Sequence, residues 1–260
     1  KSGTYEWWTK VETVKEKIKI HGVMLDNVTM DEALGYVMER LGGDSTAKIF
    51  TPNSEIMMQA QRDPELKDIL NNSDLLIADG AGVVLASKIL GKPLKEKVSG
   101  IDLVKRILEN AKNRPTSFFI LGAKPGVAET AAKNIEAQYP GAVIKGCQHG
   151  YFSEDEEESI IKKINNSGAE ILLVGLGAPK QEKWIHRNAP KLNCRVAIGV
   201  GGTIDVFAGT ASLAPEFMRR AGLEWLYRLI KEPWRLPRMM DLPRFMMLSL
   251  RRRMFGKADD

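Results

Sequence analysis

The chain has 260 residues, 43% of them hydrophobic, so it can fill one main core but is too short for two large domains with separate cores. Cys147 and Cys194 are far apart and lack zinc-ligand or CxxC spacing, so the sequence suggests neither a zinc site nor a disulfide framework. The net charge of +5 is uneven, because residues 219–257 carry an excess of eight positive charges over their acidic residues.

No run approaches the roughly 18 to 20 apolar residues that span a bilayer, and the N-terminus shows no signal-peptide pattern. If the protein meets a membrane, we expect it to lie on the surface. Residues 1–14 are aromatic and polar without an evident link to the rest of the chain, so we set them apart as an added segment.

From Ile18 onward, short apolar runs alternate with segments of helical period, which is the pattern of a layered α/β domain. Thr29 followed by Glu32 predicts a capping box at the first helix. Strands are predicted at 48–51, 75–78, 117–121, 142–145, 171–175 and 195–200. Further helices are predicted near 54–70, 82–90, 101–112, 127–138, 154–165 and 179–188. We therefore expect a Rossmann-like parallel sheet with helices on both faces over residues 15–212.

Ligands of such sheets bind beyond the carboxyl ends of the strands, so the residues just after each strand are the candidates for function. Glycines there let the backbone approach a ligand, and a helix N-terminus offers N–H groups to phosphate. We expect a nucleotide diphosphate to bind at this edge. The candidate segments are Thr51-Pro52-Asn53, Asp79-Gly80-Ala81-Gly82, Gly122-Ala123-Lys124, residues 175–182 and residues 199–205.

The composition changes after about Leu213, where prolines cut the chain into short pieces and aromatic residues alternate with arginines. Short amphipathic pieces rich in Trp, Phe, Met and Arg are typical of an interfacial membrane anchor. We expect residues 213–260 to form a helical appendage on an anionic membrane surface. Their removal is expected to leave a folded core that no longer binds anionic vesicles.

Six motifs occur in series within residues 20–238, and together they resemble the WecG/TagA/CpsF glycosyltransferases. One such motif would be a weak signal, whereas six in the same order are specific. They are Thr51-Pro52-Asn53, Ala78-Asp79-Gly80, Val98-Ser99-Gly100-Ile101-Asp102, Gly177-Ala178-Pro179-Lys180-Gln181-Glu182, Gly199-Val200-Gly201-Gly202-Thr203 with Asp205, and Gly222-Leu223-Glu224-Trp225-Leu226-Tyr227-Arg228.

The resemblance implies transfer of N-acetylmannosamine from a UDP donor to undecaprenyl-diphosphate-linked N-acetylglucosamine, with a β1,4 link, for wall teichoic acid. It also implies an inverting reaction without a metal, at the cytoplasmic face of a bacterial membrane. A Rossmann-like core whose C-terminal appendage completes the site is expected. Lys97 stands where the family often has Arg, so we expect a point charge at this substrate contact.

Asp79 ends an apolar strand, where its carboxylate is a candidate for the base that deprotonates the acceptor hydroxyl. The alternative is that Asp79 only caps the next helix. Thr51 and Asn53 are candidates to bind the acceptor sugar or to orient Asp79. From the residues alone it is equally reasonable that Asn53 caps a helix whose start Pro52 fixes.

Gln181 and Glu182 are expected to contact the sugar nucleotide. Gly201, Gly202 and Thr203 are expected to cradle UDP together with Gly122, and Asp205 to bind the ribose hydroxyls, unless it is a cap in a structural turn. Gly175 and Gly177 belong to a broken GxGxxG pattern, so a dinucleotide fingerprint is not completed.

Arg228, Arg235 and Arg238 are candidates to neutralise the leaving diphosphate, a role that many glycosyltransferases give to a metal held by Asp-x-Asp. The sequence contains no Asp-x-Asp motif, so neither a metal nor another cofactor is expected. The alternative is that these arginines only bind lipid headgroups.

Two other classes of function remain open on sequence grounds. The glycine turns permit an NAD-dependent oxidoreductase, and the basic tail permits a nucleic-acid-binding protein, although no nucleic-acid motif is present. Nothing in the sequence selects the donor hexose or decides between a monomer and a homo-oligomer.

Overall fold

A six-stranded parallel sheet forms the centre of the protein, which is described over residues 16–256 by a computed structural model. The segment set apart at residues 1–14 lies outside the described residues. In spatial order the strands are β4, β3, β8, β7, β5 and β6. Their bounds are β3 Ala47–Phe50, β4 Leu75–Leu76, β5 Thr116–Gly122, β6 Ala142–Gln148, β7 Ile171–Gly175 and β8 Val196–Gly199.

All six predicted strands are present, and the predicted fold class is confirmed. The helices before the appendage are α1 Met30–Arg40, α2 Ser54–Arg62, α3 Pro64–Asn71, α4 Ala81–Ile89, α5 Gly100–Asn110, α6 Val127–Gln138, α7 Glu157–Ser167, α8 Lys180–Asn188 and α9 Thr203–Ala208. The predicted capping box is also confirmed, because Thr29 Oγ1 accepts from Glu32 N and Glu32 Oε2 accepts from Thr29 N.

Helices pack on both faces of the sheet, and alternate residues of each strand point to opposite faces. Phe118 and Ile120 of β5 pack into one core with α1, α5, α6 and α9. Phe119 and Leu121 pack into the other core with α2, α3, α4, α7 and α8. This arrangement explains why the central strands β5 and β7 are almost continuously apolar in the sequence.

The prediction of a single helix over residues 54–70 is wrong, because the structure has two helices there, α2 and α3. Asp63 has extended backbone between them, and its Oδ1 accepts from Leu66 N at 3.0 Å. Pro64 lies at the first position of α3, where its missing N–H costs nothing but where it cannot continue the preceding helix.

A β-hairpin that was not predicted precedes α1. It consists of β1 Lys17–Ile20 and β2 Val23–Asp26, and both of its turn residues, His21 and Gly22, have positive φ. This is the backbone that a tight two-residue hairpin requires. Asp26 Oδ2 accepts from Leu76 N at 2.7 Å, so the hairpin protects the edge strand β4 with a side chain.

The appendage contains α10 Glu216–Arg220, α11 Glu224–Lys231, α12 Leu236–Met239 and α13 Asp241–Phe255. Its last helix packs on α2 and α4, with Phe245 fully buried in the core on that face. Asp241 accepts two hydrogen bonds from Arg62, at 3.1 and 2.7 Å, and Ser249 Oγ lies 2.8 Å from His21 Nε2.

The expectation that the core remains intact without residues 213–260 is therefore corrected. Removing α13 would expose the apolar surface around Phe245 and leave the buried His21 without Ser249. Such losses typically cost several kcal/mol of folding free energy. Point substitutions are therefore better suited than truncation to test the appendage. None of the helices within residues 16–256 is long and apolar enough to cross a bilayer.

Candidate active site

The segments predicted to be functional lie side by side at one edge of the sheet. The loops after β3 and β8 are neighbours, because these two strands pair directly. The β3 loop leads into α2 on one face, whereas the β8 loop leads into α9 on the other. A crevice forms where successive connections diverge in this way, and ligands of open α/β sheets bind there.

Asp79 follows β4, next to the loop after β3, and does not cap α4, the next helix. The N-cap of α4 is Gly80, which has φ +91° and contributes no side-chain bond. Asp79 N donates to Pro52 O at 3.1 Å, so the loops after β4 and β3 are joined. The Asp79 carboxylate accepts from Gly100 N, at the start of α5, at 3.3 Å.

The pKa of Asp79 is raised to about 6, mainly because the surrounding protein removes its carboxylate from bulk water. The Gly100 N–H and the positive charges of Arg228 and Lys97 oppose this shift, while the negative charge of Glu224 adds to it. A half-buried carboxyl with such a pKa is largely ionised at neutral pH yet is a stronger base than an exposed one.

The two side chains after β3 have different local roles. Asn53 is the N-cap of α2, with its Oδ1 accepting from Ile56 N at 3.0 Å, so the capping alternative is confirmed. Asn53 and Asp79 also line a common cleft between the sheet edge and the appendage. Thr51 packs against Gly100, where an added Cβ would lie 2.7 Å from Thr51 Oγ1. Gly100 is therefore needed for Thr51 and Asp79 to approach the same helix start.

The appendage forms the opposite wall of the cleft. Its residues there include Gly222, Glu224, Trp225, Met239, Leu242 and the three predicted arginines Arg228, Arg235 and Arg238. The cleft volume of about 110 Å³ is well below the roughly 300 to 1,000 Å³ of a site that encloses a whole ligand. It has room for a sugar ring or a diphosphate, and a nucleotide would extend beyond it.

The charged residues around the cleft are partly paired. Lys97, predicted to contact substrate, forms an ion pair with Glu224, a residue whose role the sequence did not indicate. Arg235 pairs with Glu232, and Arg238 Nε lies 3.9 Å from Glu55. Within residues 16–256 no such ion pair is seen for Arg228, so its charge acts on Asp79 and on any anion in the cleft.

Asp102, the acidic residue of the motif Val98-Ser99-Gly100-Ile101-Asp102, binds the appendage. The two carboxylate oxygens of Asp102 accept from Arg219 Nη2, at 2.7 and 2.6 Å. This pair ties α10 to α5, the helix whose first residue binds Asp79. The appendage is thus fixed directly to the elements that hold the candidate base.

The glycine turns come together in the middle of the sheet edge. A Cβ at Gly122 would lie 2.3 Å from Gly175 O, and a Cβ at Gly175 would lie 2.7 Å from Gly201 O. Only glycine allows such close backbone approach. Added Cβ atoms at Gly201 and Gly202 would instead meet open space, so this turn has a free surface.

Gln181 and Glu182 lie beneath this turn, with only 4% and 1% of their surfaces exposed. Both side chains point into the protein, and their contact with a sugar nucleotide stays a prediction. Gln181 Oε1 accepts from Gly201 N at 3.0 Å, and Gln181 Nε2 donates to Glu182 Oε1 at 2.8 Å. Their observed role is to hold the turn from below.

Thr203 and Asp205 belong to α9, which begins directly after Gly202. Thr203 is buried, whereas Asp205 is partly exposed and its Oδ1 lies 3.5 Å from Thr210 Oγ1. The N-cap position belongs to Gly202, so the capping alternative for Asp205 is wrong. Its contact with a ribose stays a prediction.

Within residues 16–256, no group of three or more His, Cys, Asp and Glu side chains is placed to hold a metal ion. Cys147 and Cys194 are free thiols, and burial raises the pKa of each to about 11. A reactive thiolate is therefore not expected at neutral pH. The independence of the reaction from metal ions stays a prediction.

Known proteins match this chain over most of its length. Residues 18–259 match the Glycosyl transferase WecG/TagA/CpsF family. The N-acetylglucosaminyldiphosphoundecaprenol N-acetyl-beta-D-mannosaminyltransferase of Bacillus subtilis strain 168 is 35% identical over 216 residues, which are 83% of this chain and 82% of that protein. The protein of the same name from Staphylococcus aureus strain MRSA252 is 34% identical over 232 residues, 88% of this chain and 91% of that protein. The chain belongs to the WecG/TagA/CpsF family of glycosyl transferases.

Proposed function

We propose that this enzyme transfers N-acetylmannosamine from a UDP donor to N-acetylglucosaminyl-diphospho-undecaprenol, forming a β1,4 link in the linkage unit of wall teichoic acid. The observation that carries the proposal is one cleft that contains a carboxylate with a raised pKa, Asp79, and an arginine, Arg228, for which no ion pair is seen within residues 16–256. The names of the relatives supply the acceptor and the transferred sugar. Membership of a glycosyltransferase family argues against an NAD-dependent oxidoreductase and against a purely nucleic-acid-binding protein.

In the proposed reaction, Asp79 takes the proton from the 4-hydroxyl of the acceptor sugar as that oxygen attacks the anomeric carbon of the donor. The new C–O bond forms on the face opposite the leaving group, so the configuration inverts. The bond between the anomeric carbon and the diphosphate breaks, and UDP leaves with the electron pair. Arg228, helped by Arg235 and Arg238, stabilises the negative charge that develops on the leaving diphosphate.

The nucleotide is proposed to lie across the turn of Gly201 and Gly202, with Gly122 and Asp205 close by. This turn is open to solvent, and it neighbours the β3 loop that carries Thr51 and Asn53. The cleft itself is too small for the whole donor. The donor diphosphate would therefore enter the cleft, with the nucleoside resting on the glycine turn.

The enzyme is proposed to act as a peripheral protein at the cytoplasmic face of the membrane, where the lipid-linked acceptor is located. Exposed apolar side chains concentrate in the appendage, and basic residues lie among them. The large apolar residues concerned are Phe217, Leu223, Trp225, Ile230, Trp234, Leu236, Met240, Met247, Leu250, Met254 and Phe255. Apolar side chains that enter the headgroup region and cations that meet anionic lipid together give reversible binding.

Ile230 and Trp234 test this surface because they are 66% and 74% exposed and do not line the cleft. We expect the double variant Ile230→Ala, Trp234→Ala to bind vesicles containing anionic lipid at least about tenfold more weakly in a sedimentation assay. Tyr151→Ala is the control, since Tyr151 is 65% exposed but lies in the core domain, outside the appendage. Equal vesicle binding by the double variant and the wild type would contradict the assignment of this surface.

UDP release measured with several UDP-hexoses and a lipid-linked N-acetylglucosamine analogue tests the function directly. We expect UDP-N-acetylmannosamine to give the fastest turnover, and the rate to persist in EDTA because arginines supply the positive charge. Faster turnover with another hexose would assign the enzyme a different donor. Loss of activity in EDTA that Mg²⁺ or Mn²⁺ restores would show that a metal serves the diphosphate.

A further inference from the structure

A chain of buried hydrogen bonds links α8 to the glycine turn after β8. Gly201 N donates to Gln181 Oε1 at 3.0 Å, and Gln181 Nε2 donates to Glu182 Oε1 at 2.8 Å. Both side chains are almost wholly buried, so water cannot readily replace either partner. Gln181 thus connects the Glu182 carboxyl group to the Gly201 N–H.

The two ends of this chain determine which way the Gln181 amide faces. The Gly201 N–H is a donor and requires the amide oxygen, while the Glu182 carboxyl oxygen requires the amide N–H. Rotation of the amide by 180° would set two donors against each other at Gly201 and two acceptors against each other at Glu182. Without the Glu182 acceptor, only the bond to Gly201 would oppose this rotation.

The surrounding backbone is fitted to this amide. A Cβ at Gly199 would lie 3.0 Å from Gln181 Nε2, so a side chain there would press on the amide. Gly201 has φ +51°, a left-handed conformation that its N–H bond to Gln181 helps to hold. The shape of the open turn therefore depends on contacts made below it.

We propose that Glu182 is a positioning residue of the donor site, which orients the Gln181 amide so that Gln181 fixes the Gly201–Gly202 turn for the nucleotide. This inference rests on the proposed function, since it assigns the turn to UDP. Glu182 acts through Gln181 and does not contact the donor.

The second oxygen of Glu182 has no hydrogen-bond partner among the described residues, and burial raises the pKa of this carboxyl group. The hydrogen bond from Gln181 requires an acceptor oxygen at Glu182 and does not require a negative charge. Glutamine at this position keeps the shape and the acceptor oxygen, whereas methionine keeps the approximate size and lacks an acceptor. Glu182→Gln and Glu182→Met thus separate the hydrogen bond from simple packing.

The experiment compares the full-length protein with Glu182→Gln, Glu182→Met and Asn188→Leu. Asn188 is the matched control, because it is a buried polar residue of α8 whose Nδ2 donates to Trp184 O and does not reach the turn. Three quantities are measured: hydrogen–deuterium exchange of peptides containing Gly201 in the absence of ligand, the Kd for UDP, and kcat and KM for the donor.

For Glu182→Met we expect exchange at Gly201 to accelerate and the Kd for UDP and the donor KM to rise about tenfold, with kcat changed less. Glu182→Gln should stay within about threefold of wild type in each quantity, because its amide oxygen can still accept the hydrogen bond from Gln181. Asn188→Leu should leave the exchange at Gly201 and the donor KM unchanged, even if it lowers the Tm.

Wild-type exchange at Gly201 and wild-type UDP binding in Glu182→Met would overturn the proposal, as would equal impairment of Glu182→Gln. If Glu182→Met does not fold, Gln181→Met removes the Gly201 acceptor directly and must accelerate the same exchange. Failure of the wild-type protein to bind UDP would instead overturn the proposed donor site. The exchange rates would still report whether Glu182 holds the turn.

Discussion

Replacement of Asp79 by Asn is expected to lower the rate of sugar transfer by about 10² to 10⁴, the usual cost of losing a general base. The amide keeps the shape of the side chain, and its oxygen can still accept from Gly100 N. It cannot accept the proton of the acceptor hydroxyl. Binding of UDP should change far less than turnover, because the glycine turn proposed for the nucleoside lies on different loops.

The pH profile gives the same assignment a second test. The pKa of Asp79 is raised to about 6, and a base acts only when deprotonated. We therefore expect kcat/KM of the wild type to fall as the pH drops through about 6 and to level off above it. Asp79→Asn should lack this acid limb.

Asp31→Asn is the control for Asp79→Asn. Asp31 lies on α1, its carboxylate pairs with Arg106, and it does not line the cleft. We expect its replacement to affect turnover far less than that of Asp79. An Asp79→Asn enzyme with turnover near that of the wild type would show that another group takes the proton.

Arg228→Ala is expected to reduce kcat by about 10² to 10³, which is typical of losing one group that stabilises charge in a transition state. Arg228 lines the cleft, and its positive charge lowers the pKa of Asp79. Arg228→Lys should restore part of the rate, because lysine keeps the charge but not the planar fork of donors.

The same substitution should also move the pH profile. Because the positive charge of Arg228 favours the carboxylate of Asp79, its removal should raise that pKa and shift the acid limb to higher pH. A residue that only binds lipid headgroups would leave the acid limb in place. A soluble acceptor analogue in the assay separates catalysis from membrane binding.

Arg244→Ala serves as the control on the same appendage. Arg244 Nη1 lies 3.3 Å from Asp241 Oδ1, and Arg244 does not line the cleft. We expect its kcat to remain close to that of the wild type. If Arg228→Ala transferred sugar as fast as Arg244→Ala does, Arg228 would have no part in the chemistry.

The strands of the sheet and most of the helices could be predicted because their apolar residues follow the strand or the helix period. A strand buried on both faces is apolar at almost every position, and β5 and β7 have this pattern. The hairpin of β1 and β2 was missed because it is short and His21, at its turn, is not among the residues that typically mark one. The break between α2 and α3 could have been predicted from Pro64.

The sequence also located the candidate base and the cleft arginines, but their relation came only from the tertiary structure. Asp79 and Arg228 are far apart in the chain, and they meet because α10 and α11 fold back over the sheet edge. Gln181 and Glu182 show the reverse case. Their position after a strand predicted contact with substrate, but the helix turns both side chains into the interior.

The sequence by itself determined that the last part of the chain is basic, rich in aromatic residues and divided by prolines. Only the tertiary structure decided which of its apolar side chains face inward. Phe245 packs into the core on α2 and α4, while Met247, Met254 and Phe255 of the same helix remain exposed. The apolar residues of α13 are distributed around the helix, so the surface on which it docks selects the buried ones.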